Sequence, residues 1–91
     1  MKTIFKYPLA VQDEQEIMLP AGARVLCVQV QRGVPCLWAV VDPEIGKLSH
    51  TIHIRGTGHP VEGIENFEYM GTFQLSGGDF IFHVFHERQK T

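Results

Sequence analysis

The sequence predicts an all-β fold, a small antiparallel sandwich or barrel of about six to eight strands. Three observations carry this. Val, Ile, Phe and Thr come in short runs that Gly or Pro interrupts at short intervals. No window holds a 3.6-residue apolar period for three turns. Two pairs of runs are joined by glycine turns that fix a hairpin register.

The first two strands are Thr3–Tyr7 and Gln15–Leu19, and Pro8 and Pro20 stop them, because proline donates nothing to a ladder. Arg24–Gln31 and Val34–Val41 follow, joined by Arg32-Gly33, with Gly33 free to take positive φ. This turn sets Gln31 opposite Val34, Gln29 opposite Cys36, and Cys27 opposite Trp38. One face then carries Leu26, Val28, Val30, Pro35, Leu37 and Ala39 and reads as core. The other carries Cys27, Gln29, Gln31, Cys36, Trp38 and Val40 and is mixed. Leu48–Arg55 comes after Pro43 and ends at Gly56. From Gly58 to Phe67 no strand pattern holds, and a loop with at most one short helical turn is expected.

Glu68–Leu75 and Phe80–Glu87 turn at Gly77-Gly78. Here Leu75 faces Phe80, Phe73 faces Phe82, Gly71 faces Val84, and Tyr69 faces His86. This aromatic face is expected to dominate the core, with Gly71 leaving room for a neighbouring ring. Its reverse face, with Met70, Thr72, Gln74, Ile81, His83 and Phe85, is again too apolar for free exposure. An antiparallel sheet solvated on one side alternates more cleanly. The surplus calls for other strands, a second subunit or a ligand.

Bulk properties narrow the classes. The 91 residues suit a single β domain, residues 1–91, whose thin core favours a homo-oligomer. Net charge is -2, and the eight basic residues are scattered, three of them (Lys2, Arg88, Lys90) near the termini. Bulk DNA or RNA binding, which needs dense Lys and Arg, is not expected. The opening Met1-Lys2-Thr3-Ile4-Phe5-Lys6 has no long apolar run, and no segment reaches a membrane span. A reducing cytoplasm with Cys27 and Cys36 free is expected.

Chemistry is sparse. His50 and His53 form one H-x-x-H, and His83 and His86 another. Residues three apart on a strand point to opposite faces, so neither pair chelates one ion. Cross-strand ligands such as His53 with His83 are the only route to a metal, and no resident metal or cofactor is expected. Cys27 and Cys36 are diagonal in the predicted register, which disfavours a disulfide. Neither serine, Ser49 or Ser76, sits in a nucleophile elbow. No catalytic residue is assigned.

The strongest binding candidate is Arg55-Gly56-Thr57-Gly58-His59-Pro60. Gly56 and Gly58 expose backbone N–H groups, and Arg55, Thr57 and His59 add donors to a phosphate. A glycine-rich strand exit alone gives the same pattern. Trp38, Tyr69 and Tyr7 are the aromatic candidates to stack on a base or anchor a partner, Tyr69 also fitting the core beside Phe73.

Several segments also carry a resemblance. They are Phe5-Lys6-Tyr7-Pro8-Leu9, Pro20-Ala21-Gly22-Ala23, Val34-Pro35-Cys36-Leu37-Trp38-Ala39, Gly56-Thr57-Gly58-His59-Pro60, Gly71-Thr72-Phe73-Gln74-Leu75 and His83-Val84-Phe85. Together they resemble a family of short proteins encoded by tailed phages and prophages. That family has no assigned activity, so it transfers no site residue. It implies work in a host bacterial cytoplasm, and by context an accessory role against host defence. The expectation is a non-enzymatic protein that sequesters a small nucleotide-like ligand at a subunit interface through Arg55, Gly56, Thr57, Gly58, His59 and Trp38. Alternatives are an inhibitor of a host protein using the Trp38 face, a virion or assembly component, and a small hydrolase. The hydrolase needs two or three of His50, His53, His59, His83 and His86 to converge with a carboxylate.

Overall fold

The computed structural model describes residues 1–87. Arg88 and Lys90, two of the scattered basic residues, lie outside the described residues. The strands are β1 (Thr3–Pro8), β2 (Glu14–Pro20), β3 (Arg24–Gln31), β4 (Val34–Val41), β5 (Lys47–Gly56), β6 (Phe67–Leu75) and β7 (Phe80–Glu87). A 3-10 turn at Ile64–Asn66 is the short helical piece of the long loop. Two antiparallel sheets, ordered β1-β4-β3 and β2-β5-β7-β6, pack as a sandwich. No helix among the described residues is long and apolar enough to cross a membrane.

Both hairpins keep their predicted register near their turns. Gln31 pairs with Val34, Gln29 with Cys36 and Cys27 with Trp38. Leu75 pairs with Phe80, Phe73 with Phe82 and Gly71 with Val84. Alternation from these pairs sends Val28, Leu37, Ala39, Phe73 and Val84 inward, where they join Leu9, Val41, Ile52 and Ile54 in one buried cluster.

Each hairpin then breaks register once, and each break corrects an expectation. In β3 a bulge between Val25 and Cys27 leaves Leu26 without a partner, and it is 45% exposed instead of core. In β6 a bulge between Tyr69 and Gly71 puts Met70 out of register. Tyr69 therefore pairs with Phe85, not His86, and stands 60% exposed on the outer face. Glu68 takes the place across from His86. A bulge inserts one residue, so every side chain beyond it changes face. Phe80, at the mouth of its hairpin, is also exposed rather than buried.

Gly71 makes room for a strand rather than a ring. A Cβ placed on it would stand 3.2 Å from Val28 Cβ and 3.6 Å from Val28 N. The missing side chain lets β6 of one sheet close on β3 of the other.

Candidate functional site

A cleft of about 500 Å³ opens between the sheets beside this closure. Arg24, Val25 and Leu26 line it from β3, and Glu68, Tyr69 and Met70 line it from β6. These are the segments that carry the two bulges. Leu19, Ala23 and Ile52 add apolar wall, and His50 and His86 supply polar groups.

The two histidines meet because β5 and β7 are neighbours. Ile52 pairs with His86, which makes His50 a diagonal neighbour of His86 on the same inner face. His50 Nδ1 lies 2.9 Å from His86 Nε2. His50 is only 8% exposed, and its Nε2 is buried without a hydrogen-bond partner. Burial holds the His50 ring below its usual value of 6.5, and the neighbouring His86 adds to the effect. Burial likewise lowers His86, partly offset by the charges of Glu68 and Glu87. Both rings are neutral at pH 7, and one hydrogen bond joins them.

Each H-x-x-H motif is thus divided between faces, as strand geometry requires. His53 and His83 point outward. His53 is 4% exposed, buried by Phe67 stacked at 4.1 Å, and sits between Glu14 and Glu87 at 3.8 and 3.3 Å. His83 is bonded on both nitrogens, 2.7 Å from Thr57 Oγ1 and 3.0 Å from Thr72 Oγ1. Thr72 Oγ1 in turn lies 2.5 Å from the Tyr69 hydroxyl. The cross-strand pair His53 with His83 does not form, since His53 faces Phe85 and Arg55 faces His83. Among the described residues no three His, Cys, Asp or Glu side chains form a metal-holding group. Cys27 and Cys36 are both free.

The Arg55–His59 segment forms a turn in which His59 N donates to the Gly56 carbonyl, with Gly58 at φ 89°. Arg55 and His59 share a shallow hollow of about 300 Å³ with Asp13, Pro60 and Glu62. Arg55 Nη1 already donates to the carbonyls of Asp13 and Ile54. The hollow therefore carries two carboxylates, and one guanidinium nitrogen is committed to backbone. Gly56 and His59 also line a second hollow with Phe82 and Ile54. Thr57 turns to His83, and Gly58 lines neither hollow.

Trp38 belongs to the other sheet and lines neither of these hollows nor the cleft. It pairs with Lys6 and Cys27, half-buried on the outer face of β1-β4-β3. Exposed Ile4 and Val34 share that face. The inner cleft is what sequence reasoning missed. Its signal was present only as one histidine from each motif.

No curated protein and no solved structure matches this chain. Residues 1–91 match the model of a domain of unknown function, DUF7352, and the chain belongs to that family.

Proposed function

We propose that this chain is a non-enzymatic binding protein that holds a small phosphorylated, nucleotide-like molecule in the inter-sheet cleft. The observation that carries the reading is the His50–His86 pair, 2.9 Å apart, in the wall of a cleft whose lining mixes apolar and polar groups, with Arg24 on its β3 side. The cleft volume falls in the usual range for small-molecule sites, which pair apolar walls with a few convergent polar groups. An aromatic or apolar ligand body suits Leu26 and Met70, which present surface to the cleft, and a phosphate suits Arg24. The cleft is favoured over the Arg55–His59 turn because Arg24 shares the cleft with one carboxylate, Glu68, whereas Arg55 shares its hollow with two, Asp13 and Glu62, and already donates to backbone carbonyls. His50 and His86 converge beside Glu68, the arrangement the hydrolase alternative requires, and this favours a His-dependent hydrolase as the second reading of the same cleft.

The sequence resemblance to tailed-phage proteins supports an accessory role in the host bacterial cytoplasm. Capture of a nucleotide-like signal is then the natural use of such a cleft against host defence. The half-buried Trp38 with exposed Ile4 and Val34 favours a second use of the molecule. That outer face is a contact with another copy, or with a host protein in the inhibitor reading.

Native mass spectrometry tests this on protein purified from bacterial cells, with and without cyclic nucleotides and nucleotide-ribose compounds. The expected result is a 1:1 adduct per chain that Arg24→Gln weakens. A chain that ignores every compound overturns the ligand reading and moves the weight to a protein target.

A further inference from the structure

Between the two rings there is room for one hydrogen bond, His50 Nδ1 to His86 Nε2 at 2.9 Å. In the neutral pair one ring donates across this gap and the other accepts. If His50 donates, its own Nε2 is the free basic nitrogen. If His86 donates, its Nδ1 is the free basic nitrogen. Either way one proton can be added without breaking the existing bond, which then becomes charge-assisted and stronger. A second proton would place two imidazolium rings in contact at ring centroids 5.0 Å apart. The arrangement accepts one proton and resists two.

What opposes the first proton is burial of the resulting charge. The charged side chains lining the same cleft are few: Arg24 comes from β3 and Glu68 from β6, while the Tyr69 hydroxyl is turned to Thr72 on the outer face. The β2 residue at the cleft, Leu19, is apolar, while Glu14 and Glu16 pair with the outward His53 and Thr51. Glu87 is directed to His53, and its charge still acts on the neighbouring His86. Glu68, across from His86, is the one carboxylate at the cleft, and Arg24 balances it formally. An anion entering the cleft would add a second counter-charge for a proton on the pair.

Resting on the ligand reading above, we infer that the cleft binds its ligand through an anionic phosphodiester or phosphate group and takes up one proton on the His50–His86 pair as it does so. The balance is simple: one proton moves from solvent to the free ring nitrogen, and no covalent bond changes. Binding is therefore tighter in mild acid than in mild alkali.

The test uses isothermal titration calorimetry of the full chain between pH 6 and 8.5, in two buffers of different ionisation enthalpy. The probes are cyclic mono- and dinucleotides, whose phosphodiester charge is fixed over this range, and the matching neutral nucleosides. The expected result is uptake approaching one proton per phosphodiester ligand, with Kd rising about tenfold per pH unit on the alkaline side. Nucleoside binding should not depend on pH. Arg24→Gln should weaken the phosphodiester at every pH and keep the proton uptake, while His86→Gln should abolish the uptake. If His86→Gln fails to fold, NMR titration of the wild-type ring protons gives the same readout, with the pair's pKa rising on saturation. Binding of a phosphodiester with no proton uptake overturns this inference and leaves the cleft as a ligand site. Binding of none of the probes removes both.

Discussion

The contact between Gly71 and Val28 ties one residue type to the closure of the whole sandwich. A methyl group at Gly71 would meet Val28 Cβ at 3.2 Å, and Val28 is itself buried in a strand that cannot retreat cheaply. Gly71→Ala should destabilise the fold by about 1–3 kcal/mol, as overpacking does. A urea titration reads this as a lower midpoint with an unchanged slope, and an unchanged midpoint would mean the sheets do not close there. The His50–His86 pair sets a second expectation at this scale. Both rings titrate below 6.5 in the fold, while the unfolded rings titrate near 6.5. Below that pH the unfolded chain binds protons that the fold refuses. The pair's contribution is therefore complete above about pH 6.5 and is lost as pH falls toward the lowered folded values. Urea midpoints should drop between pH 7.5 and 5.5, and the drop should shrink in His86→Gln. An equal drop in both proteins would assign the acid sensitivity to other groups.

At the scale of elements, the strands were legible because proline and glycine end them by removing donors or side chains. Arg24–Gln31, Val34–Val41 and Phe80–Glu87 have the bounds read from the sequence. Hairpin register was legible because turn length fixes it. The Arg32-Gly33 turn has φ of 50° and 80°, the geometry that matches strand twist in a two-residue loop. A Cβ on Gly33 would meet nothing within 4 Å, so Gly33→Ala carries only the backbone penalty. That penalty is about 1–2 kcal/mol for a left-handed alanine. Arg32→Asn should recover a few tenths, about 0.3 kcal/mol, since asparagine tolerates that region. Thermal unfolding of the two variants checks the order, and a stabilising Gly33→Ala would refute the turn assignment. The bulges at Leu26 and Met70 were not legible. Each apolar residue fits the strand pattern locally, and only packing between sheets makes it step out of line. The faces of Tyr69 and Glu68 followed from that, so the cleft was hidden too.

For the molecule as a whole, the pairing of β5 with β7 decides what the histidines do. Residues 50 and 86 are far apart in sequence, and no local pattern tells which of seven strands become neighbours. Strand geometry did separate the members of each H-x-x-H, but not which separated members would meet. The same topology puts the cleft and the single tryptophan on different surfaces, and this separates the two uses proposed for the molecule. Trp38 is half-buried on the outer face of β1-β4-β3, while the cleft lies between the sheets. A ligand in the cleft should leave the Trp38 emission maximum where it is. Contact with a second copy through the outer face removes water from the indole, and that shifts the emission to shorter wavelength. The expected outcome is therefore a blue shift that grows with protein concentration and is indifferent to a saturating phosphodiester. Ile4→Lys, on the same face and 55% exposed, should abolish the concentration dependence without changing stability. Emission that responds to ligand and not to concentration would place the ligand against Trp38, and would remove the cleft from the account.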